Sequence, residues 1–257
     1  MKCPICNKKL DIVQNNEKSK SYKCENKHTF DISKYGYVNL IPFNSFSGDN
    51  KEMVDSRVEI MKEGYFEPLA LKLKDIIEKL EVKSILDLGC GEGYYDRFIS
   101  ENKDYNIWAL DISKNAILKA SKLSNANINY IIANIYDLPF FDNEFDLLLN
   151  CFAPLEEKEF HRVCNKYFIK VIPNTNHLIE LKEQLYENIK ETNVDDSKLE
   201  LFDLVEEINL NYVKRVEKMK SLFMMTPYFY TTHNNFDLEL KECDVTFDFL
   251  IRVYRKK

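Results

Sequence analysis

The chain has 257 residues, 45% of them apolar and 30% charged, with a formal net charge of −6. This is the composition of a globular protein long enough to bury a full core, and it excludes a disordered or collagen-like chain. No apolar run approaches the roughly 20 residues a membrane-crossing helix needs. The chain opens Met1-Lys2-Cys3-Pro4-Ile5-Cys6 with no apolar stretch behind it, so no signal peptide is expected and the cytoplasm is the expected location. Charge is uneven. Residues 1–48 carry eight Lys against Asp11, Glu17, Glu25 and Asp31, a balance of +4 that leaves −10 for the rest. A basic front on an acidic body suits an anionic partner docking at the front; basicity for solubility alone is the alternative, and charge does not separate the two.

Three of the seven cysteines cluster with a histidine as Cys3-x2-Cys6 and Cys24-x3-His28. Two close pairs of soft or borderline ligands are what tetrahedral Zn²⁺ requires, and four protein ligands leave no open position, so the metal would be structural. A module of about 40 residues is too small to hold itself together by apolar burial alone, which motivates the metal physically. The polar stretch Gln14–Lys20 reads as a hairpin tip. Cys90, Cys151, Cys164 and Cys243 are scattered among apolar residues and read as small buried hydrophobes. Phe30 to Leu40 is aromatic and basic, able to stack bases and meet phosphates, but Phe30, Ile32, Tyr37 and Leu40 are expected mainly to pack against the metal knuckles.

Residues 41–65 form a connector rich in turn formers (Pro42, Ser45, Ser47, Gly48, Asp49, Asn50), then a helix from Glu52 to Met61 stopping at Gly64. Arg57 and Lys62 read as solvated charges, with a partner-facing role as the alternative. A second helix runs from about Pro68 to Leu80, with Leu69, Leu73, Ile76, Ile77 and Leu80 on one stripe.

The centre of the sequence is Ser84-Ile85-Leu86-Asp87-Leu88-Gly89-Cys90-Gly91-Glu92-Gly93-Tyr94-Tyr95. The chain has only 6 glycines, and three fall within these five loop positions. A strand, a glycine turn and a helix N-terminus make a nucleotide-class binding corner. A dinucleotide fingerprint is spaced G-x-G-x-x-G and seats a pyrophosphate; here the spacing is G-x-G-x-G, with Asp87 and Glu92 beside it. Carboxylates there disfavour a pyrophosphate and favour a cationic ligand, and S-adenosylmethionine carries both an ammonium and a sulfonium. A second strand, Asn106 to Ser113, ends in Asp111, placed to accept ribose hydroxyls. A third, Tyr130 to Asn134, brings Asn134 to an adenine edge, with Leu138 and Phe140 as walls. A fourth covers Asp146 to Asn150. Strands alternating with helices imply a doubly wound, Rossmann-like α/β sheet. Near the C-terminus, Leu178, Leu181, Leu185 and Ile189 read as a helix, and Val245, Phe247, Phe249, Ile251 and Val253 as a half-buried antiparallel edge strand.

These residues resemble a class I methyltransferase, and nearly the whole chain resembles the bacterial 23S ribosomal RNA guanine-N1 methyltransferases. The likeness rests on Cys-Pro-x-Cys at 3–6, Cys24-x3-His28, Lys34-x-Gly-Tyr-Val-Asn-Leu, Gly48-Asp49, Leu-Asp-x-Gly-Cys-Gly-Glu-Gly-Tyr-Tyr at 86–95, Leu-Asp-x-Ser-Lys at 110–114, Ala153-Pro154, His177-Leu178-x-Glu-Leu-Lys and Met-Thr-Pro at 225–227. It implies a zinc-binding RNA-recognition module at 1–40, the connector at 41–65 and a methyltransferase domain at 66–257. The cofactor set is Phe66, Asp87, Gly89, Gly91, Glu92, Gly93, Asp111, Asn134 and His177, of which Gly91, Glu92 and His177 follow the family pattern. The family carries a tyrosine where this chain has Phe66, and a Pro-Gly-Gly turn where it has Cys164-Asn165-Lys166-Tyr167.

The implied activity is methylation of guanine N1 in a 23S rRNA hairpin, with S-adenosylmethionine and structural zinc, no membrane partner, and a homodimer as an admissible assembly. A methyltransferase acting on a small molecule and a non-catalytic RNA-binding protein of the same fold are the rivals. Alignment should supply most of the rate, and the N1 proton must leave to a base or to water. Asn150 to Pro154, Glu156 and Glu157 are the candidates near the pocket rim, with Phe152 placed to stack the target base. No catalytic base is singled out. His161 and His233 read as surface or packing residues, and Tyr228-Phe229-Tyr230 as core or cleft lining.

Overall fold

The computed structural model of the protein describes residues 1–16, 19–41, 48–124, 128–187, 194, 198–231 and 239–257. Pro42, Ser45, Ser47, Ile189, His233 and two residues of the expected hairpin tip, Glu17 and Lys18, lie outside these. The apolar runs read from the sequence form β5 (Ser84–Leu88), β6 (Asn106–Asp111), β7 (Ile128–Ile132) and β8 (Phe145–Cys151). With β4 (Val38–Asn39), β9 (Cys164–Pro173), β10 (Phe202–Val216) and β11 (Cys243–Lys256) they make, among the described residues, an eight-stranded sheet ordered β10-β11-β9-β8-β5-β6-β7-β4. The strands from β9 to β4 run parallel; β11 is antiparallel to β9, and β10 to β11. The chain leaves β5 toward β6 on one side and pairs it with β8 on the other, so the strand order reverses beside β5. In such sheets ligands bind in the crevice at that reversal.

Helices α1 (Lys51–Lys62), α2 (Glu67–Lys79), α3 (Tyr94–Ser100), α6 (Ile179–Leu185) and α7 (Met219–Met224) cover one face, packing on Ile85, Leu147, Ile169, Phe247 and Phe249. α4 (Lys114–Leu123) extends that layer over Ala109 and Ile132. Two helices start on side-chain caps: Asn50 Oδ1 accepts from the Met53 N–H, and Ser113 Oγ from the Ala116 N–H. The opposite face carries α5 (Glu157–Val163) and the N-terminal module. The connection between β7 and β8, residues 133–144, contains no helix. The module fills that gap: Cys3, Leu10 and Cys24 join one buried cluster with Leu138, Phe140, Phe145 and Phe160. Its own sheet is β1 (Asp11–Asn16), β2 (Ser19–Lys23) and β3 (Thr29–Asp31). The Lys2 N–H donates to Pro139 O at 2.7 Å, and β4 then adds to the β7 edge. Leu40 packs with this cluster, whereas Tyr37 packs beside Tyr130 on the other side, away from the knuckles.

Several expectations are corrected. β11 is buried on both faces from Phe247 to Tyr254, because β10 covers its outer edge and helices cover one side. The edge strand is β10, 15 residues long and largely exposed. Its alternation marks one half-buried face, with Ile208, Leu210 and Tyr212 packed on the helix-side core and the residues between them exposed. Cys243 is half-buried, with Gln184 Nε2 3.4 Å from its sulfur, whereas Cys90, Cys151 and Cys164 are buried as expected. At Cys164 helix α5 passes directly into β9 with no intervening turn, and the register slips between Phe145 and Leu147. That junction stands where the resemblance implied a Pro-Gly-Gly turn. His161 packs edge-on against Phe202, as a packing residue should.

Phe140 sits where the module meets the sheet, fully buried and edge-on to Trp108 at 5.5 Å and Phe145 at 4.8 Å. Phe140→Ala is expected to cost about 3–5 kcal/mol of stability in chemical denaturation. A cost under about 1 kcal/mol would show that the module is not held through this contact.

Candidate functional site

Two knuckles bring the metal-ligand candidates together. Cys3, Cys6, Cys24 and His28 place their donor atoms within 4.8 Å of one another. Cys6 Sγ and Cys24 Sγ are 3.7 Å apart, and His28 Nδ1 lies 3.5 Å from the sulfurs of both Cys3 and Cys24. With Zn–S near 2.3 Å and Zn–N near 2.05 Å, a regular tetrahedron demands edges of about 3.8 and 3.6 Å. The donor set and its spacing therefore fit zinc. The backbone N–H of Lys8 pulls the half-buried Cys6 thiol down to about 6, which favours the thiolate a metal needs.

The glycine loop is built from left-handed residues. Gly89, Gly91 and Gly93 have φ of +84°, +57° and +71°. A Cβ at Gly89 would stand 2.5 Å from Ala153 Cβ, and one at Gly93 would collide with the Tyr130 hydroxyl. Neither position accepts a larger residue. The loop is strapped to β6: the N–H groups of Gly89 and Cys90 both donate to Leu110 O at 2.9 Å. Asp111 then holds the loop and the start of α4 together, Oδ2 accepting from the Gly91 N–H at 2.9 Å and Oδ1 from the Ser113 N–H at 2.7 Å.

Above this loop lies a cavity of about 740 Å³. Phe66, Asp87, Gly89, Gly91, Glu92, Asp111, Asn134 and His177 all line it. Gly93 does not; it forms the left-handed N-cap of α3, packed on Tyr130. Leu138 and Phe140, expected as adenine walls, are fully buried beneath it and do not line it; Ile135 and Tyr136 do. Phe66 is buried and lies edge-on to Phe247 at 5.4 Å. Tyr228 and Tyr230 line the cavity, while Phe229 is core. Glu156 and Glu157 stand away from it, and Glu157 Oε1 accepts from the Leu201 N–H. They are not the pocket-rim acids the sequence suggested.

Burial shapes the electrostatics. Asp87 on β5 and Asp96 on α3 are each about 1% exposed, and Asp87 Oδ1, Asp96 Oδ2 and the Tyr95 hydroxyl have no hydrogen-bond partner among the described residues. Desolvation, then the facing Asp96, pushes the Asp87 carboxyl well up; desolvation carries Asp96 to about 7. Burial also raises Glu92 and Asp111. Four carboxylates (Asp49, Asp87, Glu92 and Asp111) line the loop end against one cation, Arg57. Buried acids with unsatisfied oxygens fit a ligand that brings positive charge and hydrogen-bond donors. His177 is neutral: burial and then Lys182 lower it to about 3. Its Nδ1 accepts from the Asp248 N–H at 3.2 Å, which leaves Nε2 as the protonated nitrogen. Phe152 stacks on His177, rings 6.5 Å apart and 16° from parallel, and is itself left-handed at φ +62° and exposed at the mouth.

Sequence reasoning missed the part of α1. Met53, Arg57 and Met61 line the cavity, and Arg57 pairs with Asp49 at 2.5 Å below Gly91 rather than meeting solvent. The signal was faint: one arginine on an amphipathic helix near Gly48-Asp49. Asp96 was also missed, since its interest lies in a partner nine residues away that only folding brings close.

Residues 1–46 match the family model described as the RlmA N-terminal zinc ribbon, and residues 85–169 match a methyltransferase domain. The chain is 31% identical to YxjB of Bacillus subtilis (strain 168) over 96% of this chain and 94% of that one. YxjB is named, provisionally, a 23S rRNA (guanine-N1-)-methyltransferase. The chain belongs to the family of 23S rRNA (guanine-N1-)-methyltransferases. It is a class I enzyme that uses S-adenosylmethionine and carries a zinc ribbon. A second member, the 23S rRNA (guanine(748)-N(1))-methyltransferase of Streptomyces fradiae, is 29% identical over 72% of this chain and 67% of its own. The YcgJ protein of Bacillus subtilis shares the fold, with a TM-score of 0.51 at 15% identity, covering 73% of this chain and 98% of that one. Among the described residues no helix is long and apolar enough to cross a membrane.

Two outcomes test this site in the family member described here. Purified protein should contain about one zinc per chain by elemental analysis, and Cys24→Ser should lose most of it together with the module's protection from proteolysis. Zinc retained at full stoichiometry in that variant would contradict the assigned ligand set. The second concerns the acid pair. Both carboxyls hold a proton more tightly when folded than in the unfolded chain, whose Asp pKa is about 3.9. Stability of the ligand-free protein should therefore fall as pH rises from about 4 through about 7. Asp96→Asn should flatten that fall in thermal melts; an unchanged slope would remove the pair as its source.

Proposed function

We propose that the chain methylates N1 of a guanine in a hairpin of 23S rRNA, with the zinc ribbon (1–40) reading the RNA, 41–65 linking, and 66–257 carrying catalysis. The observation that supports this best is the convergence of eight of the nine expected cofactor residues on one cavity at the strand-order reversal. Bound there, S-adenosylmethionine would supply an electrophilic methyl group. The backbone at Gly89 and Gly91 lets the ligand approach the turn closely, and Glu92 and Asp87 face its positive charge. Asp111 accepts from the ribose hydroxyls, and the side-chain amide of Asn134 meets the adenine edge. Phe66 keeps the aromatic wall but offers no hydroxyl, and His177 presents a neutral Nε2–H.

Phe152 is placed to stack an extruded base at the mouth. A non-glycine residue held left-handed there marks a position the fold over-determines, as binding sites often do. Asn150 supports it from behind: its Nδ2 donates to Pro154 O at 3.0 Å and closes the 150–154 loop. The ribbon docks on the sheet face opposite α1–α4, giving RNA a basic surface next to an acid-lined cofactor pocket. A small-molecule substrate gives that ribbon no task, and a purely binding protein gives the cavity none.

The test is methylation of 23S rRNA by the purified zinc-loaded protein with S-adenosylmethionine, mapped by mass spectrometry. One N1-methylguanine in a hairpin is expected; methyl transfer only to small molecules, or to none, would overturn the reading. In calorimetry, Asp111→Ala should weaken S-adenosylmethionine binding about 10- to 100-fold, the worth of one or two hydrogen bonds to a charged acceptor.

A further inference from the structure

Two acids meet at the wall of the cofactor cavity. Asp87 of β5 lines the cavity, whereas Asp96 of α3 stands behind it, off the wall. Each is about 1% exposed, and their carboxyls are hydrogen-bonded to each other. Two carboxylates offer acceptors and no donor, so a bond between them requires a proton. Asp87 Oδ1 and Asp96 Oδ2 have no partner among the described residues. No adjacent cation offsets a second charge. Arg97 follows Asp96 in the chain but donates to the Glu92 carbonyl, and Arg57 is paired with Asp49. Like charges this close, in a space this dry, do not both ionise. The proton belongs to the pair rather than to either acid.

Resting on the cofactor role proposed for this cavity above, we propose that Asp87 and Asp96 share one proton in the empty site and release it when S-adenosylmethionine enters, so that Asp96 is a positioning residue that sets cofactor affinity through Asp87. The exchange balances. In the empty site the pair carries one proton and a single negative charge. The cofactor brings an ammonium and a sulfonium against one carboxylate, a net positive charge. Beside that charge the second ionisation of the pair becomes favourable, and the shared proton passes to water through the cavity. Asp87 is left with open lone pairs toward the ligand, and the unsatisfied oxygen on the wall gains a donor. The other groups around the pair do not make this exchange. On β6, Asp111 already accepts from the Gly91 and Ser113 N–H groups, which oppose its burial. In the glycine loop, burial raises Glu92 and Arg57 opposes the rise. Burial keeps the thiols of Cys90 and, on β8, Cys151 protonated, as it does the hydroxyls of Tyr95 on α3 and Tyr130 on β7.

The experiment is calorimetric titration of the zinc-loaded protein with S-adenosylmethionine, repeated in buffers of different ionisation enthalpy to count the protons released. Failure of the wild type to bind the cofactor would defeat the cofactor reading itself; the outcomes that follow bear on the pair alone. The wild type should release about one proton per cofactor at pH 6.5, and Kd should tighten by up to about tenfold per pH unit between about 5.5 and 7. That window lies below the titration of the ligand's own ammonium, at about 8. Asp96→Asn keeps the shape of the side chain but has no carboxyl to share the proton. It should still bind the cofactor while losing most of the release and most of the pH dependence. Binding of 5′-methylthioadenosine, which has neither positive group, should release no proton from the wild type. The wild-type titrations decide by themselves should the variant fail to fold. Cofactor binding without proton release, an affinity level across that window, equal release with methylthioadenosine, or undiminished release in Asp96→Asn would overturn the proposal, the last by placing the exchange at Glu92 or Asp111.

Discussion

The site depends on one hydrogen-bonded constraint: a carboxylate at the end of β6 holding the backbone of a left-handed turn at the end of β5. Asp111 accepts from Gly91 and Ser113 at once, so the loop, the strand and the start of α4 become one rigid corner. Left-handed geometry is affordable at three positions in five only because those positions are glycine. Ala153 and Tyr130 close in where Cβ atoms would stand. The packing that makes the corner tight is therefore the packing that makes it intolerant of side chains.

From that corner the rest of the cavity follows by strand order. β5 sits at the reversal, so β6 and β7 bring Asp111 and Asn134 to one side, while β8 and β9 bring Phe152 and Lys170 to the other. The first side is acidic and suits a cationic cofactor. The second side is aromatic, with Phe152 stacked on His177 at the cavity wall. α1 closes the acid side, with Arg57 set against Asp49 so that the acids do not face one another uncompensated.

The zinc ribbon serves the same sheet. The β7–β8 connection carries no helix, and an uncovered sheet face would leave Leu138, Phe140 and Phe145 in water. The ribbon's Cys3, Leu10 and Cys24 cover it, and β4 ties the module to the β7 edge. Metal binding is thereby coupled to the cover of the catalytic sheet as well as to the module's own fold. The zinc ribbon and the methyltransferase domain are held by a shared core.

Much of this was legible in the chain. Paired Cys and His spacings, a glycine turn behind an apolar strand, and acids at two strand ends are local patterns, and local patterns survive without knowledge of the fold. Residues 84–95 announced the corner because glycine is rare elsewhere in this sequence. What folding alone decided was everything set by distant neighbours. β11 looked half-buried from its alternation, but helices cover the side of Phe247, Phe249 and Ile251, while on the other side Tyr254 packs in the cluster with Phe168 and Phe202, so both faces are buried. Arg57 looked like surface charge, and Asp96 looked like nothing in particular. Their significance is their placement against Asp49 and Asp87 on other elements. A sequence states which groups a chain owns; which of them share a low-dielectric space depends on long-range packing, and that is what turns a carboxylate or an arginine into part of a site.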